Sequence, residues 1–383
     1  MTDVCVIGAG ILPFARHDNM SLSDLAVEAA YRAIKDANIA PGIIETGYFA
    51  NVLGSRLFGD STVGQSVFAS VGVAGGPILN IENACASGST AFYLAFHAIK
   101  SGLTEYAIVV GAEKMCVSGM GLLNSSETDI ETKLGLVTPA SFAMRAKRYM
   151  YEFNMTREEL AQVTVKNRKH AAANPLALFQ TPVTVEEVLG SSMIADPLTK
   201  LQCCPMADGA AALVLAKASS ALAGKRPIRI NSVVLNSGIY NNPIDLIRWE
   251  TDRRSCQNAY DAAALGPDDL DLVECHDPFT IAEILHYEAL ELCPAGMGAA
   301  LLADGATSLG GRIPVNVSGG LIGRGHPLAA TGVAQIVEIV AQLRKEAKAR
   351  QVEDARVGLA HCMGADLQGD ARACTVTILS NYD

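Results

Sequence analysis

The chain has 383 residues, half of them hydrophobic and 18% charged, with a formal net charge of −10. That is enough chain for a sizeable core and more than one domain, and too apolar a composition for a disordered protein. The acidic balance argues against a broad basic surface for nucleic acid, and it confines any phosphate-bearing ligand to a local basic patch or a helix N-terminus.

The opening "MTDVCVIGAG" lacks the basic n-region and long apolar core of a signal peptide, and the closing "SNYD" is not a peroxisomal S-K-L address. No apolar run approaches the roughly 18 residues of a membrane span. The ten cysteines are scattered, several in or beside apolar runs ("VECHD", "RACTVTIL"). This predicts a cytoplasmic protein with mostly buried thiols. The adjacent Cys203 and Cys204 suit neither a disulfide nor a C-x-x-C metal knuckle, and no metal site is expected.

Taken in order, "DVCVIG" reads as a strand. Residues 21–38 follow as a capped amphipathic helix, with Leu22, Leu25, Ala29 and Ala33 at helical spacing. "TGYFANV" is a strand, 62–73 a helix, "STAFYLAFHAIKSG" a helix closed by Gly102, and "YAIVVGAE" a strand. From about 115 to 200 the rhythm breaks into a Met-, Ser- and Thr-rich stretch and then a charged helix, which reads as a loop domain inserted over the core. "ADGAAALVLAKAS" returns to strand pattern. A second half begins near "KRPIRINSVVL" and continues with a helix over 255–266, the strand "DLVECHD" and a helix from Thr280. It ends with the strand "IPVNVSGG", a glycine-rich loop, a long helix over 329–347 and the strands "RVGLAHCMG" and "ACTVTIL".

This is βαβ grammar and predicts an α/β fold with buried strands. Each half runs strand, small-residue loop, long helix, buried strand, the pattern of a duplication that brings equivalent loops face to face. We divide the chain into an N-terminal half, 1–225, carrying the insertion, and a C-terminal half, 226–383.

Several strand-end loops carry reactive side chains. Gly8-Ala9-Gly10 follows a strand, but Pro13 stands at the third glycine position of a dinucleotide fingerprint, so a strand-ending turn is expected. Cys85, in "NACASGST", precedes a helix, where the macrodipole lowers a thiol pKa and small neighbours let backbone N–H groups approach an oxyanion. On this stretch alone a packed, inert thiol is the commoner reading. His326, in "GRGHPLAATG", occupies the equivalent loop of the second half, and a Cys–His pair is a general way to activate a thiol. "ECHDPFT" sets His276 and Asp277 at a strand end, with Asp277 placed to cap the next helix. "AHCMGAD" sets His361, Cys362 and Gly364 at another. Two thiols and two imidazoles at strand-end loops fit acyl transfer onto one thiolate, with the second thiol moving the proton α to a thioester carbonyl.

These residues resemble the thiolases over nearly the whole chain, through "NACASGS", "CCPMADGAAALVL", "ECHDPFT", "NVSGGLIGRGHPLAATG" and "AHCMG". The HDxF form resembles the branch linked to sterol carrier protein and to archaeal and bacterial relatives. The resemblance implies a five-layered αβαβα fold of two similar halves, and a homodimer or dimer of dimers. It implies coenzyme A as co-substrate with no tightly bound cofactor, and in some relatives a small zinc-ribbon/OB-fold accessory protein. It assigns Cys85 as the acylated nucleophile, His326 as its activator and His276 as the residue holding the water or donor of the thioester oxyanion hole. Cys362 becomes the acid/base, and the backbone N–H groups of Cys85 and Gly364 a second oxyanion hole. Two departures stand out: Pro278 replaces the cysteine of an HDCF form, and "ADLQGD" replaces the usual glycine run after Gly364.

The activity expected is cleavage of a β-ketoacyl-CoA by free coenzyme A, or the reverse Claisen condensation. A bulky or aryl substrate such as benzoylsuccinyl-CoA is among the candidates. The alternatives are a decarboxylating ketoacyl synthase, against which Cys362 argues, and a non-catalytic lipid-binding or scaffold subunit.

Overall fold

The computed structural model describes residues 3–121, 129–221, 226–240 and 245–382. Strand β1 (Val4–Ile11) leads to α1 (Leu22–Ala37), which opens on a reciprocal capping box between Ser21 and Asp24. Next come β2 (Thr46–Ala50), the short α2 (Gly54–Phe58), α3 (Val63–Ser70), β3 (Ile78–Ile81), α4 (Ser87–Lys100) and β4 (Tyr106–Glu113). The segment that breaks the sequence rhythm forms α5 (Ile130–Lys133), α6 (Thr138–Phe153), α7 (Arg157–Ala172) and α8 (Val185–Gly190). A small hairpin, β5 (Met193–Ala195) with β6 (Leu198–Thr199), completes it. Strand β7 (Gly209–Lys217) re-enters the main sheet.

The rest of the chain forms β8 (Ile228–Asn236), α9 (Glu250–Ala263), β9 (Leu272–Glu274), α10 (Thr280–Ala289) and α11 (Gly298–Ala303). It then makes α12 (Gly320–Arg324), α13 (Leu328–Leu343), β10 (Val357–Leu367) and β11 (Asp370–Ser380). No helix among the described residues is long and apolar enough to cross a membrane.

The main sheet runs β3-β2-β4-β7-β1-β8-β11-β10-β9. In its first part β3, β2 and β4 are parallel, and β4–β7 and β7–β1 antiparallel. In its second part β9 and β10 are parallel, and β10–β11 and β11–β8 antiparallel. An extended stretch at Val315 bridges Val273 of β9 in parallel, in the place β3 holds in the first part. Order and direction therefore repeat, and the two parts meet across two rungs of β1 and β8.

The strand expected over "IPVNVSGG" reduces to that single bridge. Pro314 has no N–H to give the ladder, and Asn316 turns into left-handed backbone (φ 56°), so the chain makes two bonds to Val273 and leaves. The glycine-rich loop after it contains the short helix α12.

Strand alternation produces three cores and hence five layers. Cys5 and Ile7 of β1, with Val110 of β4 and Val214 of β7, pack under α1 and α3. Val4 and Val6, with Val109 and Leu213, face the opposite way onto α4 and α13, which are sandwiched between the two parts of the sheet. Val376 and Ile378 of β11 and Leu359 of β10 bury the remaining face under α9 and α10.

The central layer is unusually close. A Cβ on Gly88 of α4 would lie 2.2 Å from the Ala329 carbonyl oxygen, and one on Gly332 of α13 would lie 2.8 Å from Ser89 Cβ. Replacing Gly88 by Ala should therefore cost about 1–3 kcal/mol through overpacking. Thermal or denaturant unfolding of Gly88→Ala measures this, and an unchanged stability would refute the contact.

Candidate active site

Cys85 lies in a tight turn between β3 and α4. Ala84 is in the left-handed region (φ 49°), and the turn is tied by the Asn83 amide donating to Ser87 Oγ (2.6 Å) and Ser87 Oγ donating to Ala84 O (2.6 Å). This places Cys85 just outside the first turn of α4, with one face of the residue still open.

His326 reaches it from the equivalent loop of the second half, its Nε2 3.3 Å from Cys85 Sγ. The ring's tautomer follows from its other nitrogen. Nδ1 lies 2.8 Å from Thr331 Oγ1, whose own proton goes to Pro327 O at 2.9 Å. Thr331 must then accept, Nδ1 carries the hydrogen, and the Nε2 lone pair faces the thiol.

His276 completes a convergent group: Cys85 Sγ and ring nitrogens of His276 and His326 lie within 4.8 Å of one another. The two rings meet edge to face at 5.2 Å, and His276 Nε2 is buried with no hydrogen-bond partner. Such a trio is a donor set that a thiophilic cation would accept, and an unpartnered N–H or lone pair there is equally a place for a reacting oxygen.

Cys362 approaches from β10 and donates to Cys85 O at 3.3 Å. Gly364 lets the strand come this near, since a Cβ there would lie 2.6 Å from Asn83 O. The amides directed at the Cys85 sulfur are those of Cys85 itself and of Ala365, one residue past Gly364 and in left-handed backbone (φ 55°). "ADLQGD" forms a hairpin whose tip residues Gln368 (φ 49°) and Gly369 (φ 79°) suit a two-residue turn. Arg145 of α6 pins it, donating to Asp366 Oδ2, Gly369 O and Leu246 O at 2.8–3.1 Å.

Asp277 caps a helix, but not the one that follows it. Its Oδ1 accepts from Leu321 N (2.6 Å) and its Oδ2 from Asn167 Nδ2 (2.8 Å), so it anchors α12 while α10 starts without a side-chain cap. The neighbouring Glu283 bridges α10 to Lys166 and Asn167 of α7 and to Asn316 (2.7 Å). Cys204 donates its amide to Pro278 O (2.8 Å), bringing the second residue of the adjacent cysteine pair beside this loop.

The electrostatics reverse one sequence expectation. Burial, helped by the Glu113 carboxylate, pushes the Cys85 thiol up to about 12 despite its position at a helix start. Burial and then the Arg324 guanidinium push His326 down to about 3. Burial also raises Cys362 and lowers His276, the latter aided by the surrounding imidazoles. Desolvation outweighs the helix dipole, and the resting site holds neutral thiols and neutral imidazoles.

Sequence reasoning missed the residues that hold this group. Thr331 sits one turn beyond Pro327 in the quoted motif. Glu113, at the end of β4, accepts from Asn51 Nδ2, Val52 N, Leu53 N and Ala329 N at 2.9–3.3 Å. Asp252 and His286 lie on helices whose buried faces are partly polar, the one signal that would have exposed them.

Fold and site together define an acyltransferase built from two similar halves. A thiolase N-terminal domain model matches residues 4–219, and a thiolase C-terminal domain-like model matches 240–381. The chain belongs to the thiolase family. It is 39% identical over 369 residues to the benzoylsuccinyl-CoA thiolase subunit BbsB of Thauera aromatica, covering 94% of both chains. It is 38% identical over 370 residues to an acetyl-CoA acetyltransferase of Methanothermobacter thermautotrophicus, covering 95% of this chain and 97% of that one. Among solved structures it resembles the Ltp2-ChsH2(DUF35) aldolase, with a TM-score of 0.85, 26% identity and coverage of 99% and 98%.

A thiol held near 12 has a thiolate fraction that grows tenfold per pH unit at every lower pH. Alkylation of Cys85 by iodoacetamide, followed by peptide mapping, should therefore rise about tenfold per unit from pH 7 to 10. A plateau below pH 8 would show a preformed thiolate–imidazolium pair instead.

Proposed function

We propose that the chain is a coenzyme A-dependent thiolase that works through an acyl group on Cys85. The observation carrying this is the Cys85–His326 contact, with the Nε2 lone pair turned to the thiol and Cys362 reaching the same residue from the other side.

In the cleavage direction Cys85 Sγ attacks the 3-keto carbon while its proton passes to His326 Nε2. The alkoxide forms against the N–H groups of Cys85 and Gly364. The C2–C3 bond then breaks, leaving the acyl group on Cys85 and the electron pair as a thioester enolate whose oxygen faces His326 and the donor or water held by His276. Cys362 gives its proton to C2. Coenzyme A enters, Cys362 takes the proton of its thiol, and the new thiolate attacks the acyl-cysteine. The tetrahedral adduct collapses to acyl-CoA, and His326 returns the proton to Cys85. The reverse sequence is the Claisen condensation. Neutral resting partners suit this order, because charge is created only while substrate supplies a partner for it.

The similarity to BbsB supports a bulky or aryl β-ketoacyl-CoA such as benzoylsuccinyl-CoA as substrate. That relative is a subunit, and the similar solved structure is an Ltp2-ChsH2(DUF35) aldolase, so we infer a small zinc-ribbon/OB-fold accessory protein for this chain as well. A homodimer or dimer of dimers fits the edge of the sheet, where β3 pairs on one side only among the described residues and Leu79 is 40% exposed. Ten free thiols are in keeping with a cytoplasmic location.

Cys85→Ala should give no covalent acyl adduct by intact mass after incubation with acyl-CoA, whereas the unaltered protein should gain one acyl group. An adduct retained in Cys85→Ala would exclude the mechanism. Cys362→Ala should lower thiolysis by about 10²-fold or more, the scale of a lost general acid–base. A panel of β-ketoacyl-CoAs with free coenzyme A, run with and without a co-expressed accessory protein, identifies the acyl group.

A further inference from the structure

Behind His276 lies a buried group that the acyl-transfer scheme leaves unused. Asp252 of α9, His286 of α10 and His361 of β10 are each 1% exposed or less. Asp252 Oδ2 is 2.6 Å from His286 Nδ1, and Asp252 Oδ1 is 3.0 Å from His361 Nε2. One carboxylate thus joins two imidazoles, and both imidazoles end on the main chain of one residue. His286 Nε2 lies 2.8 Å from His276 O, and His361 Nδ1 lies 3.5 Å from His276 N.

Hydrogen-bond arithmetic fixes the roles. The His276 amide can only donate, so His361 Nδ1 accepts, and its Nε2 donates to Asp252. Both nitrogens of His286 face acceptors, a carboxylate and a carbonyl. The assembly is clamped from outside as well. Trp249 stacks on His286 (5.2 Å, 23°), Arg145 lies 4.5 Å from the Trp249 ring, and His286 sits 4.3 Å from His361. A packing seam between α9, α10 and β10 that only needed filling would have been apolar. This one desolvates a carboxylate and two imidazoles, and every bond they make toward the site ends on His276.

We infer that Asp252, through His286 and His361, is a positioning device for His276: it grips the backbone of that residue from both sides and thereby aims the unpartnered Nε2 at the place where the thioester oxygen becomes an enolate. The inference rests on the thiolase reading proposed above and assigns to it residues that touch no substrate. It has a specific kinetic consequence. The enolate exists only when the C2–C3 bond breaks or forms. Acylation of Cys85 by a simple acyl-CoA uses the other oxyanion site. Damage to the frame should slow carbon–carbon chemistry and spare acylation.

The test compares two reactions of the full-length protein: thiolysis of acetoacetyl-CoA, and acetylation of Cys85 by acetyl-CoA followed by intact mass. Asp252→Asn is isosteric and removes the charge that joins the rings. It should lower kcat for thiolysis by about tenfold or more, the scale of losing a residue that orients a reactive ligand, while the acetylation rate stays within about twofold of the unaltered protein. His276→Ala should lower thiolysis as well, and Asp252→Asn in the His276→Ala background should cause no further loss of thiolysis. Equal slowing of both reactions, unchanged thiolysis, or a full additional loss in the double variant would overturn the inference. If Asp252→Asn does not accumulate folded, His286→Gln, which keeps a side-chain amide donor, is read by the same criteria. Failure of the unaltered protein to take up an acyl group from acetyl-CoA, succinyl-CoA or benzoyl-CoA would instead defeat the thiolase reading itself.

Discussion

The site depends on one steric contact at the centre of the molecule. The Ala329 carbonyl oxygen stands where a Cβ on either Gly88 or Gly111 would be, at 2.2 and 2.3 Å. Ala329 is in the first turn of α13 and Gly88 in the first turn of α4, so this contact docks the two central helices start to start. Cys85 and His326 each lie just before one of those starts. A 3.3 Å thiol–imidazole distance between residues 241 apart in sequence is thereby set by backbone packing and not by the reach of side chains. A rigid main-chain origin is what a reacting pair requires, because an error of about 1 Å in such a pair is costly in rate.

The same burial that makes the contact rigid determines the charge state. Cys85, Cys362, His276 and His326 are all driven toward their neutral forms. A helix start offers a thiolate about 1 kcal/mol or so at exposed positions, whereas desolvating a thiolate costs more. The site therefore stores no ion pair. It stores orientation: the Thr331 hydroxyl fixes which nitrogen of His326 holds the hydrogen, and the Nε2 lone pair is left facing the thiol.

Much of this was legible in the sequence for a physical reason. Cys85, His326, His276 and Cys362 stand in short, local, small-residue motifs at strand ends, and a local pattern survives reading along the chain. Residues whose roles come from pairing across distant elements were not legible. Asp252 and His286 are 34 positions apart on two different helices, and each looks alone like a polar residue on an ordinary amphipathic face. The strand expected at "IPVNVSGG" failed because apolar alternation says nothing about whether a ladder will accept Pro314 or a left-handed Asn316. The capping role read for Asp277 was right in kind and wrong in partner, since α12 approaches it from 44 residues away.

The repeat also explains why the two halves hold different groups. Ala50 pairs with Gly111 on the last rung of the β2–β4 ladder, and Glu274 with Ala360 on the last rung of the β9–β10 ladder. Two residues past those rungs stand Val52 and Glu113 in the first half, His276 and Cys362 in the second. Glu113 and Cys362 are thus equivalent by sheet register, as are Val52 and His276. In the first half the anchor occupies this position: the Glu113 carboxylate takes the Val52 amide and also ties Ala329 of α13, the residue at the central contact. In the second half the position holds the thiol, so it cannot anchor its neighbour. The strand-end loop bearing His276 must be held from behind, and Asp252, His286 and His361 are what stands there. A polar frame in the C-terminal half is therefore the structural counterpart of a reactive group placed where the N-terminal half keeps its anchor.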